Sequence, residues 1–156
     1  MGFEIRLAEQ DDLAALEPHF ADMYAHFADA NGVTQLSEGG FTRWCSTYQR
    51  ARAISRVIYI ATLDGAFAGF IEGQIRIQAQ SVNPEKAGHT AHLYVAPVHR
   101  RAGLASALYN TLTAWFAEKS VQSETLEVVY NNVAADTFWL SLGFKPTFLT
   151  YSKPAP

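Results

Sequence analysis

The chain has 156 residues, of which 49% are hydrophobic and 17% charged, and its net charge is -3. That length fits one domain over 1–156, and so many core-formers exclude disorder. The charge excludes the basic footprint of a nucleic-acid binder and leans weakly toward a cationic substrate.

A single cysteine, Cys45, rules out an intramolecular disulfide and reads as a small buried apolar residue. Glu4 and Arg6 interrupt the apolar opening, so no secretory leader is expected. No apolar run approaches the roughly 20 residues of a membrane span. The expectation is a soluble cytoplasmic protein with no membrane or nucleic-acid partner.

Residues 3–7 alternate apolar and charged, as a half-buried strand does. Asp11 and Asp12 then stand where helix starts stand, and Leu13, Leu16, Phe20, Tyr24 and Phe27 form one helical face ending near Asn31-Gly32. The polar, Gly-rich stretch 33–40 reads as a loop, and 38–52 as a second helix. Residues 57–63 and 67–77 read as strands joined by the hairpin turn Asp64-Gly65. A loop over 81–88 contains Asn83-Pro84, and 90–95 is a strand stopped by Pro97. Residues 104–119 form a helix with Leu104, Leu108, Leu112 and Trp115 on one face. The nearly all-apolar 126–129 reads as a short central strand. A helix over 133–142 closed by Gly143 and a last strand over 144–151 complete a mixed α/β order.

The segment Leu93-Tyr94-Val95-Ala96-Pro97-Val98-His99-Arg100-Arg101-Ala102-Gly103-Leu104-Ala105-Ser106 is a strand, a short loop and a helix start. A helix N-terminus offers unpaired N–H groups and the positive end of the helix dipole, a ready place for a pyrophosphate. Gly103 and Ala105 allow close backbone approach, Arg100 and Arg101 add charge, and Ser106 adds a hydroxyl. There is no Gly-Lys-Ser/Thr for a Walker loop and no G-x-G-x-x-G for a dinucleotide fingerprint.

This segment, R-x-x-G-x-A after L-Y-V-x-P, resembles motif A of the GNAT superfamily of N-acetyltransferases. Asn132, Ala134, Phe138-Trp139 and Leu142-Gly143-Phe144 resemble its motif B. The resemblance covers nearly the whole chain. It implies a mixed, mostly antiparallel sheet of about six or seven strands with a central parallel splayed pair, flanked by about four helices. It implies acetyl-CoA in the splay between the strands ending at Val95 and Val129, the backbone of Leu93, Tyr94 and Val95 pairing with the pantetheine arm. The amides of Arg101, Ala102, Gly103, Leu104, Ala105 and Ser106, with Arg100, would hold the pyrophosphate, and Asn132, Phe138 and Trp139 would flank the arm. A homodimer is common in the family.

Direct acyl transfer to an amine needs a neutral amine, a donor for the oxyanion and a proton for the thiolate. The five histidines show no metal-ligand spacing, so no metal is expected. The family often uses a tyrosine as thiolate acid where this chain has Trp139; Tyr130, Tyr94 and loss of thiolate to water are the alternatives. Histidine, with an ordinary pKa of ~6.5, suits a general base. Period-two alternation puts His89 and His92 on opposite faces of one strand. Both are candidates, with Glu72 on the preceding strand as a third. Tyr24, Phe27, Trp44 and Tyr48 lie where the family builds its acceptor site, and their rings could bound a cationic amine. The expected function is acetyl transfer from acetyl-CoA to a primary amine of a small molecule or peptide. The alternatives are a non-catalytic acyl-CoA-binding module and a generic nucleotide-binding protein.

Overall fold

Alternation of side chains from Glu4 onward lays down the first strand of the computed structural model, which describes residues 2–79 and 84–156. Strand β1 (Glu4–Leu7) pairs antiparallel with β2 (Arg56–Leu63), β2 with β3 (Ala66–Ala79), and β3 with β4 (Pro84–Val95). Among the described residues only strands β4 and β5 (Ser123–Leu126) pair in parallel, giving one five-stranded sheet in the order β1-β2-β3-β4-β5. The sheet is mixed and mostly antiparallel, as expected, with fewer strands among the described residues than the six or seven foreseen.

The β2–β3 hairpin turns at Asp64-Gly65, with φ of 52° and 80°, the left-handed geometry a two-residue turn requires. The helix expected from Asp11 to Asn31 is two helices, α1 (Gln10–Ala15) and α2 (Glu17–Asn31). Pro18 at the start of α2 explains the break, because its ring removes an N–H and fits only a first turn. Helix α2 ends at Gly32, whose N–H closes the last turn onto Ala28 O and whose left-handed φ of 75° then turns the chain out of the helix. Next come α3 (Gly40–Ala51), α4 (Leu104–Glu118) and α5 (Val133–Ser141), so among the described residues five α-helices stand where about four were expected. No helix among the described residues is long and apolar enough to cross a membrane.

Two apolar layers sandwich the sheet. On one face Leu13, Leu16, Phe20, Phe41 and Tyr48 from α1–α3 pack on Ile58, Ile60, Phe70 and Tyr94. On the other, Leu104, Leu108, Leu112 and Phe116 of α4 pack on Val57, Ala61 and Ile71. Helix α4 lies close because β3 and β4 carry glycines beneath it. A Cβ at Gly73 would sit 2.3 Å from Leu112, and one at Gly88 would sit 2.7 Å from the Phe116 ring.

Three further expectations change. Strand β4 begins at Pro84, so 84–88 is strand rather than loop, while 81–83 lie outside the described residues. Strand β5 covers Ser123–Leu126 rather than 126–129, and it ends the strand order instead of standing at its centre. Its chain leaves the ladder at Leu126, where β4 and β5 separate. Residues 144–151 form no strand, and Phe148 is 93% exposed; a strand exists only by pairing, and this segment pairs with none of the described strands.

Candidate acyl-transfer site

The parallel ladder runs from Ala87↔Ser123 to Thr90↔Leu126 and stops, while β4 continues to Val95 on β3 alone. Ala96 N–H donates to Ala68 O on the β3 side, so strand alternation turns the Val95 N–H and C=O toward the open side. This is the splay. The Val95 carbonyl pairs with no strand and accepts instead from Arg100 Nε at 3.0 Å.

Just beyond, Pro97–His99 forms one 3-10 turn, and Arg101 and Gly103 take left-handed φ of 62° and 79°. For Arg101 that conformation costs on the order of 1–3 kcal/mol. Gly103 is the N-cap of α4 and supplies no side-chain cap, so the amides of Leu104, Ala105 and Ser106 lack intrahelical partners. Leu104 is buried and anchors the turn, whereas Arg100, Arg101, Ala102 and Gly103 are exposed. Beside an open strand edge, this uncapped N-terminus fits the pyrophosphate and amide-bearing arm of CoA.

Beyond the splay, Asn132 is the N-cap of α5, its side chain accepting from Ala135 N–H at 3.3 Å. That bond accounts for the asparagine locally. Phe138 is half-buried, and Trp139 is buried edge-on to Tyr109, Phe138 and Phe144. Tyr130 is 75% exposed in the turn before α5.

The opposite face of β4 carries a buried polar network. Glu72 pairs with His92 across β3 and β4, and Gly73 pairs with Thr90, leaving Ala91 as a bulge. The bulge shifts the alternation. His89, paired with Gln74, therefore lies on the same face as His92 and Glu72, not on the opposite face. Neither glycine nor proline marks Ala91, so nothing in the sequence announces the bulge.

Glu72 is fully buried. Its Oε2 accepts from Trp44 Nε1 at 2.8 Å and lies 2.7 Å from His92 Nδ1. Its Oε1 accepts from Gln74 Nε2 at 3.0 Å, and from both Nε and Nη2 of Arg56, the former at 2.9 Å. Burial alone would raise the carboxyl pKa, but the bond and charge of His92, with Arg56 and Gln74, hold it at about 2. His92 Nε2 points toward the Tyr24 hydroxyl, 3.4 Å away. Phe20, Tyr24 and Trp44 rings surround the imidazole at centroid distances of 5.1, 6.1 and 6.0 Å.

His89 is buried with its Nδ1 2.9 Å from Thr125 Oγ1, and burial, with the Arg76 charge, lowers its pKa to about 4. The Tyr94 hydroxyl donates to Asp22 at 2.7 Å; burial and that carboxylate push its pKa up to about 12. Phe27 packs against Tyr24, half-buried. Tyr48 departs from expectation: it is 1% exposed and stacks behind Trp44, so it supports a wall rather than lining a site. Sequence reasoning missed Arg56, Gln74 and Phe20. The one available signal was the placement of Arg56 and Glu72 within otherwise apolar strands, where each charge needs a partner.

The family model of the acetyltransferase (GNAT) family matches residues 20–144. No curated protein matches the chain. A mutant of the BH1408 protein from Bacillus halodurans superposes with a TM-score of 0.82 at 15% identity, covering 98% of this chain and 99% of that one. A GCN5-related N-acetyltransferase from Ralstonia eutropha gives 0.77 at 23%, covering 99% of each chain. The aminoglycoside N-acetyltransferase AAC(6')-Iy, bound to a bisubstrate analog built from CoA and acetylneamine, gives 0.74 at 17%, covering 99% of this chain and 100% of its own.

Proposed function

Because this chain belongs to the acetyltransferase (GNAT) family, we propose that it transfers the acetyl group of acetyl-CoA to a primary amine of a small molecule or peptide. The observation that carries this reading is the meeting of two half-sites on one strand. The open β4 edge at Val95 leads to the bare start of α4, and His92 stands just past the bulge on the face toward α2 and α3.

Acetyl-CoA supplies the activated acyl carbon and a thiol leaving group. The Leu93-Tyr94-Val95 edge would pair with its arm. The amides of Leu104, Ala105 and Ser106 would hold its phosphates, with Arg100 and Arg101 adding charge. Asn132, Phe138 and Trp139 would form the wall opposite. An amine reaches the reaction as an ammonium and must lose a proton before it attacks. His92 Nε2 is the base best placed for that proton. Glu72 already accepts five hydrogen bonds, and His89 is turned into its bond with Thr125. Tyr24 and Phe27, with Trp44, would bound the acceptor's path to His92.

The test is to supply acetyl-CoA with a broad panel of amines and follow free thiol. Thiol release dependent on one amine class is the expected result. CoA binding by calorimetry with no release across the panel would make the chain a non-catalytic acyl-CoA-binding module. Absence of CoA binding would sink the donor assignment itself.

A further inference from the structure

A fully buried carboxylate needs a reason. As a stabilising device a buried ion pair is weak, because desolvation cancels most of its Coulomb attraction and an apolar pair of similar volume would serve as well. Yet Glu72 sits at 0% exposure, mid-strand, between Ile71 and Gly73, with donors brought to it from β2, α3 and β4. An ionised carboxylate has about four lone-pair sites. Five hydrogen bonds fall on this one, so none remains to receive a proton from a substrate.

We propose that Glu72 is a positioning residue. It accepts the Nδ1–H of His92 and so presents the Nε2 lone pair of that imidazole to the acceptor amine, while Arg56 and Trp44 lock the carboxylate in place. This rests on the reading of His92 as the base.

The geometry decides the tautomer. Arg56 and Trp44 have only hydrogens to offer, so the Glu72 oxygens are acceptors, and the nitrogen 2.7 Å from Oε2 must be the one carrying hydrogen. The other nitrogen, Nε2, faces Tyr24 on the aromatic side. The β-bulge at Ala91 matters here, because the register change on its far side sets His92 directly across from Glu72. Around the pair stand Arg56 on β2, Gln74 on β3, His89 on β4, Tyr24 on α2, and Trp44 and Tyr48 on α3. Among the described residues Arg56 is the permanent cation touching the carboxylate, and with His92 it keeps Glu72 charged.

The experiment pairs spectroscopy with kinetics on the full chain. Long-range imidazole nitrogen–proton correlation spectra of the nitrogen-15-labelled protein, with His92→Asn for assignment, are expected to show neutral His92 hydrogenated at Nδ1. A resting Nε2–H form would overturn the proposal even if the protein turned over no substrate. Glu72→Gln is expected to lower kcat roughly 10- to 100-fold with KM within about twofold, part of the ~10²–10⁴ that a general base supplies. In a His92→Ala background the same change should cost nothing further in kcat; an equal loss there would show that Glu72 acts independently and overturn the idea. If Glu72→Gln does not fold, Trp44→Phe, which removes one of the donors that lock the carboxylate without burying a new charge, is expected to lower kcat by less with KM little changed, and a resting Nε2–H form of His92 in that variant would count against the proposal. An Nδ1–H signature without thiol release to any amine would support the positioning geometry and count against the transfer reading.

Discussion

The two halves of the proposed site are made of different material. The donor half is backbone: an unpaired strand edge at Val95, left-handed turns at Arg101 and Gly103, and bare amides at the start of α4. The acceptor half is side chains: Glu72, His92, Arg56, Trp44 and Tyr24, drawn from β3, β4, β2, α3 and α2. Backbone sites are local in sequence and tolerate most side chains, except where a glycine must take a positive φ. Side-chain sites are scattered along the chain, and each member depends on the others. The two halves should therefore fail separately.

The sharpest break is His92→Ala. It is expected to lower kcat by about 10²–10⁴, the range for losing a general base, while CoA affinity stays within about twofold. A calorimetric titration with CoA beside a thiol-release assay checks both. A parallel loss of CoA affinity would join the halves that the geometry separates.

Acid should also discriminate, because the titrating groups sit in the side-chain half. Glu72 is held below its ordinary 4.5 at about 2, so its contribution is present above 4.5 and is lost as pH falls toward 2. That shift corresponds to about 3 kcal/mol. His89 is lowered from 6.5 to about 4. As pH falls below 6.5 the unfolded chain takes up a proton that the folded imidazole refuses, and stability is lost until about pH 4. Denaturant unfolding at pH 7, 5 and 3 should show two successive losses, and His89→Asn should shrink the first, to which half-buried His19, its pKa also lowered by burial, adds. Unchanged stability between pH 7 and 5 would contradict the burial of a neutral His89.

The same division explains what could be read in the sequence. Asp64-Gly65, Gly32 and the 100–106 turn were legible because each is a local backbone requirement that a short run of residue types announces. The face of α4 was legible because its period is local too, and the buried Leu104, Leu108, Leu112 and Trp115 bear it out. The side-chain half was legible only as candidates. His89, His92 and Glu72 could be named, but the bulge at Ala91 decides their faces, and Arg56 reaches Glu72 across a strand pairing that no local pattern encodes. The expected strand at 144–151 failed for a related reason. Its β-forming residues are real, but a strand also needs a neighbour, and sequence does not show whether one is in reach.

Glycine packing offers a third test, on the α4 face, away from the buried network. Gly88→Ala would put a Cβ within 2.8 Å of three Phe116 ring atoms, and that ring is 1% exposed with no room to retreat. The expected cost is about 1–3 kcal/mol in denaturant unfolding, the range for overpacking a core. Because β4 carries both half-sites, a shift of the strand would weaken CoA binding and thiol release together, unlike His92→Ala.

The smallest expected effect comes from the donor turn itself. Gly103 takes φ of 79°, and a Cβ there would meet nothing within 4 Å, so Gly103→Ala is strained only through its backbone. A left-handed non-glycine residue costs roughly 1–2 kcal/mol. Part of that is expected as global stability and the rest as a turn that relaxes away from the geometry presenting the Leu104 to Ser106 amides. CoA affinity should fall by about threefold to tenfold, since each 1.4 kcal/mol is worth a factor of ten. The kcat at saturating acetyl-CoA and the His92 tautomer should not move, because the buried network takes nothing from this turn. If kcat fell with affinity intact, the turn would be serving the chemistry rather than holding the donor, and the division between backbone and side-chain halves would be wrong at its simplest point.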